Sequence, residues 1–267
     1  MTFRREAPTV QRSNTMETKH HKYALSNVLS IFEKFRELYA LPQVTINLKY
    51  SSIPEDDQFF HRITSEFFLD STQPHPKFPL VRRKTLGYTV CRLSPIWEGY
   101  STQIQASARR NCKKAMRLGY SFEQIDYNVH LEDISQIIRS APIRQGKSMP
   151  KWMIAENPPC INEHISRCAQ HDYPTFGIRQ HGRLVAYAGC FIAGDLCEIQ
   201  TIYGHARHQP DGIIPLLIVS IGNTLIRSYG NVKYYSFGTY FGSGETMRRF
   251  KRKFGFYPHR VTWELGD

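Results

Sequence analysis

The feature that most constrains the fold of this chain is a series of three strand-like segments joined by very short links. The three segments are Thr175–Gln180, Leu184–Ile192 and Leu196–Tyr203. The links between them are His181-Gly182 and Ala193-Gly194-Asp195. Links of this length join only antiparallel neighbours, because a parallel pair needs a crossover of about a dozen residues or more. The sequence therefore predicts a three-stranded antiparallel meander.

A helix and a further strand follow the meander. The turn-like segment His205–Gly212 precedes an apolar helix over Ile213–Tyr229, for which Asp211 is the expected N-cap. Val232–Phe237 has the composition of a strand, and a strand reached through a crossover helix is expected to lie parallel to its neighbour. The remaining elements are a glycine-rich loop, a helix and a last strand, over Gly238–Gly244, Glu245–Phe254 and Arg260–Leu265.

Upstream of the meander, the pattern predicts strands over Leu86–Leu93 and Tyr120–Ile125. Apolar residues at three- and four-residue steps predict one helix from Ser101 to Leu118 and another over Leu131–Ile138. The other faces of the first helix carry a basic cluster, formed by Arg109, Arg110, Lys113, Lys114 and Arg117.

The first 80 residues have a different character from the rest of the chain. The first 22 are polar and basic, which predicts a solvated tail without the apolar core of a secretory signal. An amphipathic helix through Leu25–Leu38 and a strand over Val44–Tyr50 follow. Three prolines within Gln73–Pro79 predict a loop and a boundary. The expected division is a tail, an accessory subdomain and a main domain, over 1–22, 23–80 and 81–267.

The charge balance limits the class of partner. The 267 residues contain 35 Lys plus Arg against 23 Asp plus Glu, a formal net charge of +12. Such a charge favours a polyanionic partner: a nucleic acid, a phosphorylated cofactor, an anionic membrane face or an acidic substrate. No apolar run approaches the length of a membrane-spanning helix, so we expect a soluble cytoplasmic protein.

The six cysteines include no C-x-x-C pair, which predicts reduced thiols rather than a disulfide scaffold. On a helix, Cys160, His164, Cys168 and His171 would form one stripe, but its outer members would lie about 16 Å apart. Tetrahedral zinc needs all of its ligands within about 2.3 Å of the metal. We therefore predict no metal site and interpret the stripe as the buried face of a helix.

Three stretches resemble a known family. They are an arginine-rich helix over Ser107–Gly119, a strand end leading into a helix over Thr201–Leu217, and Tyr235-Ser-Phe-Gly-Thr239 followed by Met247-Arg-Arg-Phe-Lys-Arg-Lys-Phe-Gly-Phe256. The last is similar to the "D-F-G … R-F-K-x-x-F-G" ending of Fem-like proteins. With the order of elements, these stretches resemble the Fem-like branch of the GNAT acyltransferase superfamily from Thr85 to Leu265. The resemblance implies an α+β fold, an α/β sandwich with a mixed, mostly antiparallel central sheet flanked by helices.

The resemblance also implies transfer of an acyl group to the amine of a small molecule or peptide. Such a reaction needs a base for the amine proton, a fixed donor for the oxyanion and an acid for the leaving group. The family pattern puts the oxyanion donor at a splayed strand end, here Ile202, Tyr203 and Gly204. It puts the phosphates of the cofactor on the next turn and helix start, here Arg207, Gly212 and Ile213.

The candidates for proton transfer or charge stabilisation are Glu198, His205, Glu245 and Lys251. Lys251 takes the place of a tyrosine acid found in many GNAT proteins, and a solvated helix face is its alternative. Glu198 and Glu245 are the nearest acids for a base, although either could face water or favour a helix start. His205 is the natural proton carrier near neutral pH. Two further candidates for substrate binding are Tyr240 and Arg109.

Three functions remain open at this stage. The first is an N-acyltransferase that uses acyl-coenzyme A, favoured because residues 1–80 leave no room for a second acyltransferase domain. The second is a Fem-like transferase that takes its acyl group from aminoacyl-tRNA. The basic segments Arg109–Arg117 and Arg248–Lys253 would then contact the phosphates of the tRNA. The turn Arg207–Gly212 lacks the R/Q-x-x-G-x-G/A glycines, as do Fem-like enzymes. The third is a non-catalytic nucleic-acid-binding module, since aromatic and basic residues interleave near the C-terminus.

Overall fold

The computed structural model describes residues 36–76, 78–144, 147–155, 158–161, 163 and 166–266. Contacts divide the chain into two units, Met1–Leu41 and Pro42–Asp267, and the second contains every element named below. The tail expected over 1–22 and most of the helix expected over Leu25–Leu38 lie outside the described residues. Residues 36–39 are helical.

In the described part of the second unit, the α-helices are α1 (Gln58–Thr72), α2 (Trp97–Gln103), α3 (Ala106–Arg117), α4 (Leu131–Arg139), α5 (Lys151–Ala155), α6 (Ile213–Ser228) and α7 (Glu245–Arg252). The strands are β1 (Gln43–Asn47), β2 (Pro74–His75), β3 (Phe78–Arg82), β4 (Leu86–Arg92), β5 (Ser121–Ile125), β6 (Ile143–Arg144), β7 (Lys147–Ser148), β8 (His171–Asp172), β9 (Thr175–Gln180), β10 (Arg183–Ala193), β11 (Leu196–Gly204), β12 (Tyr234–Thr239) and β13 (Tyr257–Glu264). Short 3-10 helices lie at Tyr50–Ser52, Asn128–His130 and Ala206–Asp211.

The predicted meander is confirmed. Strands β9, β10 and β11 pair antiparallel, with Gly177 opposite Tyr187 and Ala186 opposite Gly204. Gly194, in the second link, has a φ of 52°, and a Cβ there would lie 2.3 Å from the carbonyl oxygen of Asn47. Glycine therefore meets two requirements of this link: the left-handed backbone and the close approach of a neighbouring chain segment.

The meander is the centre of a mixed sheet with the strand order β1-β13-β4-β12-β11-β10-β9-β5, and β8 pairs with β10. Strand β11 is parallel to β12, as the crossover helix α6 between them predicts. Strand β1 is parallel to β13, so residues 43–47, expected in an accessory subdomain, form the edge of the central sheet. The other neighbours are antiparallel, which matches the expected mixed, mostly antiparallel sheet.

Helices cover both faces of this sheet. One buried cluster contains Tyr100 of α2 and Leu217 of α6 together with Cys190 of β10. Another contains Phe67 of α1, whose ring centroid lies 4.9 Å from that of Phe191. Adjacent residues of a strand point to opposite faces, so Cys190 and Phe191 place these clusters on opposite sides of the sheet. The result is the α/β sandwich that the resemblance implied.

The single helix predicted from Ser101 to Leu118 is wrong. Helix α2 ends before an extended residue, Ile104, which is buried, and α3 begins after Gln105. The Gln105 N–H donates to the carbonyl oxygen of Lys253 at 2.9 Å. A hydrogen bond to a distant part of the chain therefore interrupts the helix, and local spacing cannot reveal such a bond.

The loop predicted over Gln73–Pro79 is also wrong in part. Strands β2 and β3 form a small antiparallel pair in which Pro74 lies opposite Arg82. A proline is tolerated at the first residue of a strand. In a two-stranded ladder, the outer side of each strand has no partner strand, so a missing N–H there breaks no hydrogen bond. The prolines mark an edge here rather than the absence of a strand.

We predict that Gly222→Ala destabilises the protein by about 1–3 kcal/mol through overpacking. A Cβ at Gly222 of α6 would lie 2.5 Å from Cε1 of Tyr100, whose side chain is fully buried and cannot move aside. Thermal or urea unfolding measures the change. Gly230→Ala is the matched control, because no heavy atom lies within 4 Å of a Cβ at this exposed position. Equal stability of the two variants would contradict the packing described here.

Candidate active site

Strands β11 and β12 separate part-way along their length. Their parallel register covers only Leu196–Glu198 of β11, opposite Tyr234–Ser236 of β12. Strand β11 continues to Gly204 while remaining paired with β10. Strand β12 continues to Thr239 while remaining paired with β4. The two strands therefore open a cleft beyond Glu198, as the sequence analysis expected near Tyr203.

The open edge of β11 presents backbone N–H groups to this cleft. The His205 N–H donates to the Val185 carbonyl oxygen at 2.8 Å, which marks a hydrogen-bonded pair between β10 and the chain after β11. In an antiparallel ladder, hydrogen-bonded and non-hydrogen-bonded pairs alternate. Gly204 and Ile202 therefore fall at non-bonded positions, and their N–H groups point away from β10. Two of the three expected oxyanion donors, Ile202 and Gly204, therefore lie on the open side, whereas the Tyr203 N–H faces β10.

A β-bulge coincides with the point of separation. Gly189 lies opposite Thr201 and Cys190 opposite Ile199, so Gln200 is an extra residue in β11. A bulge bends its strand and increases the local twist. The bulge therefore turns the end of β11 away from β12 at the place where their pairing stops.

A cavity of about 420 Å³ lies in the opening between the two strands. Glu198–Gln200 of β11 and Phe237–Thr239 of β12 form its two sides. Met247 and Lys251 of α7 contribute further lining, together with Lys84 from the turn before β4. The cavity therefore unites two of the predicted site residues, Glu198 and Lys251, that are distant in sequence.

Glu198 is the buried carboxylate of this cavity, with 6% of the residue exposed. Burial raises the pKa of Glu198, while the Lys84 ammonium and the nearby Tyr88 hydroxyl act in the opposite direction. The Lys84 Nζ lies 3.7 Å from Glu198 Oε2 and 3.4 Å from Asp70 Oδ2. Lys84 therefore provides the charge that keeps a buried carboxylate ionisable.

Lys251 is the buried ammonium of the same cavity, with 4% of the residue exposed. Its Nζ donates to the Thr239 carbonyl oxygen at 2.7 Å and lies 5.1 Å from the ring centroid of Phe237. Burial lowers the pKa of Lys251 from its ordinary 10.5 to about 8, although the Glu198 carboxylate acts in the opposite direction. An ammonium with a pKa this close to neutrality can give up its proton during a reaction.

The arrangement suits acid–base chemistry on one small substrate. Burial moves the pKa values of Glu198 and Lys251 toward each other and toward neutral pH. A carboxylate can accept a proton while an ammonium donates one. The N–H groups of Ile202 and Gly204, which could stabilise an oxyanion, lie further along the same open edge, beyond the residues that line the cavity.

His205 lies directly after β11, at the start of the 3-10 helix Ala206–Asp211. Its Nδ1 accepts a hydrogen bond from the Arg207 N–H at 3.3 Å, and burial and the positive charges of Arg207 and Arg144 lower the pKa of His205. The imidazole is therefore neutral near pH 7 and caps the 3-10 helix Ala206–Asp211. Tyr203 of β11, two residues before His205, packs against Arg144, whose Cζ lies 5.2 Å from the centroid of the Tyr203 ring.

The expected N-cap of α6 is wrong. Gly212, with a φ of 90°, occupies that position, and the Asp211 carboxylate is turned toward other partners. It accepts a hydrogen bond from Tyr120 Oη at 2.9 Å and pairs with Lys114 Nζ at 3.2 Å. The hydrogen bond from Tyr120 is the main cause of the lowered pKa of Asp211.

The start of α6 is not an open cradle for a pyrophosphate. Gly212 and Ile213 are buried, and a Cβ at Gly212 would lie 2.5 Å from the carbonyl oxygen of Asn111 in α3. Pro210 has no N–H to donate, and Asp211 adds a negative charge. The residues at this helix start therefore do not fit the pyrophosphate of coenzyme A, although Arg207 on the same turn is exposed.

The remaining predicted site residues lie outside the cavity lining. Glu245 begins α7, where it is largely exposed and pairs with Arg252 at 3.1 Å. Tyr240 follows β12, with the Arg248 Cζ 5.2 Å from its ring centroid. Arg109 donates to the carbonyl oxygens of Ser101 and Ile104, so it caps the C-terminal end of α2.

Sequence reasoning missed several residues of the cavity. Lys84, Gln200 and Met247 line it, yet the sequence analysis assigned none of them to the site. Next to Glu198, the side chains of Tyr88 and Ser236 are fully buried. The alternation within β4 and β12 identifies Tyr88 and Ser236 only as residues of the sheet. It does not indicate that the Glu198 carboxylate lies beside them.

The stripe interpretation of Cys160, Cys168 and His171 is wrong, because residues 166–170 are not helical and His171 begins β8. His164 lies outside the described residues. Within the described residues, no three His, Cys, Asp or Glu side chains are grouped closely enough to hold a metal ion. Among the same residues, no helix has the length and apolar character needed to cross a bilayer.

Comparison with known proteins identifies the fold but no closer relative. No protein-family model and no curated protein sequence matches the chain. The structure of FemX aligns with a TM-score of 0.52 and 9% identity over 80% of this chain and 69% of FemX. The chain shares the fold of FemX.

Two further solved structures align less completely with this Fem-type fold. L-PGS from Bacillus licheniformis aligns with a TM-score of 0.42 and 14% identity over 65% of this chain and 60% of L-PGS. A GCN5-related N-acetyltransferase from Kribbella flavida aligns with a TM-score of 0.35 and 14% identity over 64% of this chain and 54% of that protein. The chain thus spans less than two thirds of the length of either protein.

We predict that Lys251→Met stabilises the protein at pH 7 by about 1–3 kcal/mol, since it removes a buried ammonium. The folded pKa of about 8 lies below the ordinary 10.5, so the unfolded chain binds more protons between these pH values. Wild-type stability therefore rises across that window, and the advantage of the variant should vanish above it.

Urea unfolding of both proteins between pH 7 and 10.5 provides the measurement. Lys253→Met, two residues further along the chain and half-buried, is the control and should change stability by less than about 0.5 kcal/mol. A variant at Lys251 that is less stable at pH 7 would show that the ammonium serves the fold rather than the site.

Proposed function

We propose that the protein is an acyltransferase that forms an amide in the cleft between β11 and β12. The observation that supports this function best is the coincidence of an open strand edge, a buried carboxylate and a buried ammonium in one cavity. A structural role would not need any of the three, because an unpaired edge and buried charges each lower stability.

In this proposal, Glu198 accepts the proton of the attacking amine. The tetrahedral oxyanion then accepts a hydrogen bond from one backbone N–H of the open edge of β11, for which Ile202 is the expected donor nearer to the cavity. Lys251, protonated below about pH 8, donates its proton to the departing oxygen or sulfur as the carbon–heteroatom bond breaks. The amide bond forms and one proton passes from the acceptor to the leaving group, so no further reagent is required.

Of the two donors expected, the geometry favours aminoacyl-tRNA. The start of α6 lacks an open cradle for pyrophosphate, whereas α3 exposes Arg110, Lys113 and Arg117 to solvent. Phosphates of a nucleic acid can lie along such a face, since each contact releases bound counterions. The resemblance to Fem-like enzymes, some of which take aminoacyl-tRNA, points the same way.

Acyl-coenzyme A is the second candidate donor, and one observation favours it. The free edge of β11 from Ile199 to Tyr203 can pair with the amide groups of a pantetheine arm, as an added strand pairs with a sheet edge. In that case the pyrophosphate would have to lie outside the start of α6, for example near the exposed Arg207.

We predict that Glu198→Gln and Lys251→Met each lower the rate of acyl transfer by about 100-fold or more, because each removes a proton-transfer group. The assay follows loss of the acyl group from a charged tRNA pool or from acetyl-coenzyme A, with a mixture of small amines and peptides as acceptors. Lys233→Met, which removes a surface pair with Asp195, should leave the rate within about twofold. Transfer that persists in both cleft variants would rule out this mechanism.

We also predict that the donor can be identified by binding. Aminoacyl-tRNA should raise the melting temperature, with an affinity that falls steeply between about 50 and 200 mM salt. The double variant Arg110→Gln, Lys113→Gln should weaken this binding and reduce its salt slope by about two. Stabilisation by acetyl-coenzyme A alone, unaffected by the double variant, would instead assign the thioester donor.

A further inference from the structure

A second reactive pair lies outside the cleft, where the chain turns into β8. The Sγ of Cys168 lies 3.3 Å from Nδ1 of His171. The Cys168 N–H donates to the His171 carbonyl oxygen at 3.0 Å, so the backbone closes a tight turn that holds the two side chains together. The cleft chemistry described above uses neither residue.

The hydrogen bonds of His171 fix its tautomer. Its Nε2 lies 2.9 Å from the Leu48 carbonyl oxygen, which can only accept, so Nε2 carries the ring proton. A neutral ring then leaves Nδ1 unprotonated and facing the thiol of Cys168. The ring is 1% exposed, and burial lowers the pKa of His171, which favours the neutral form. Cys168 is therefore placed as the nucleophile, His171 as its base, and the Leu48 carbonyl oxygen as the group that orients the base.

The thiol is accessible from a cavity of about 440 Å³. Cys168 and His171 line it together with Arg167, Asp172 and Tyr229. Arg167 pairs with Asp172 at 3.2 Å, and its Cζ lies 5.2 Å from the ring centroid of Tyr229. Cys168 is half-buried, so a small reagent can approach the sulfur from the cavity while the imidazole contacts it from within.

The other cysteines provide a contrast within the same molecule. The thiols at 91, 112, 190 and 197 are buried, and burial raises the pKa of Cys91 and of Cys112 to about 12. Cys160 is exposed, and in the part of the chain that the structure describes no hydrogen bond reaches its sulfur. Exposure alone would make Cys160 the most reactive thiol, whereas a base beside the sulfur favours Cys168.

We propose that Cys168 and His171 form a modification site at which a low-molecular-weight disulfide such as glutathione disulfide is attacked by the Cys168 thiol. The proton of the thiol passes to His171 Nδ1 as Sγ bonds to one sulfur of the disulfide. The S–S bond of the reagent breaks, and its second sulfur leaves as a thiolate that takes the proton back from His171. The products are a mixed disulfide on Cys168 and one free thiol, so the exchange needs no other oxidant.

The charged groups around the pair come from α1 as well as from the turn itself. The Asp57 carboxylate, at the start of α1, favours a protonated His171, and His61 of the same helix opposes it. Arg167 and Asp172 flank the pair from the turn and largely compensate each other. No described group therefore holds His171 permanently charged, and the ring can cycle between base and acid.

The test is a comparison of two thiols in one chain. The full protein is incubated with glutathione disulfide at pH 7, and mass spectrometry of peptides measures the modification of Cys168 and Cys160 over time. We expect Cys168 to react about tenfold faster, because an ordinary thiol is only a few per cent thiolate at this pH. In 6 M guanidinium the two rates should become equal. A folded protein in which Cys160 reacts as fast or faster overturns the proposal.

Two further measurements test whether His171 acts as a base on Cys168 or only lies close to it. His171→Gln keeps an N–H for the Leu48 carbonyl oxygen but removes the base, so the advantage of Cys168 should disappear while the circular dichroism spectrum stays native. In the wild-type chain, the reaction rates at Cys168 and Cys160 should depend differently on pH between 7 and 8.5, because a neighbouring base assists only the thiol of Cys168. Parallel pH profiles in the wild-type chain would overturn the proposal even if the variant fails to fold.

Discussion

The separation of β11 from β12 is the constraint on which the rest of the site depends. Strand β11 pairs with β10, and β12 pairs with β4, over a greater length than β11 and β12 pair with each other. Side chains then fix the two free ends. Lys251 bonds to the Thr239 carbonyl oxygen at the end of β12, and Arg144 and Gln209 bond to the Gly204 carbonyl oxygen at the end of β11. The bulge at Gln200 supplies the bend between these anchors, so the opening is built into the fold.

The cleft concentrates features that do not favour stability. A carboxylate and an ammonium are both buried around one cavity, and the backbone of β11 leaves N–H groups without strand partners. Lys84 partly compensates the carboxylate, and its Nζ lies 4.1 Å from the ring centroid of Phe67, which also disperses its charge. The apolar clusters on the two faces of the sheet supply the stability that such a site requires. The chemistry of the cleft and the packing of the layers are therefore separate parts of the same sheet.

The candidate site was only partly predictable from the sequence. Glu198 and Lys251 were identified because the resemblance gave positions for a base and an acid, and the cavity contains both. Glu245, the other acid considered as a base, pairs with Arg252, and Arg109, considered for substrate binding, donates to carbonyl oxygens at the end of α2. A charged residue near a motif does not reveal its partner, because that partner comes from another element. Lys84 was missed for the same reason, since it reaches the cavity from a turn far away in sequence.

The sequence by itself determined the local elements and the order of the meander. Period-two alternation and glycine links allow only antiparallel pairing over short distances, and a crossover helix forces a parallel neighbour. Only the tertiary structure decided what contacts between distant segments control. Long-range hydrogen bonds set the break between α2 and α3 at Gln105 and the place of β1 beside β13, and close packing against Asn111 blocks the start of α6. The physical reason is that periodicity reports which face of a segment is apolar, whereas the identity of the group facing it depends on how distant segments pack.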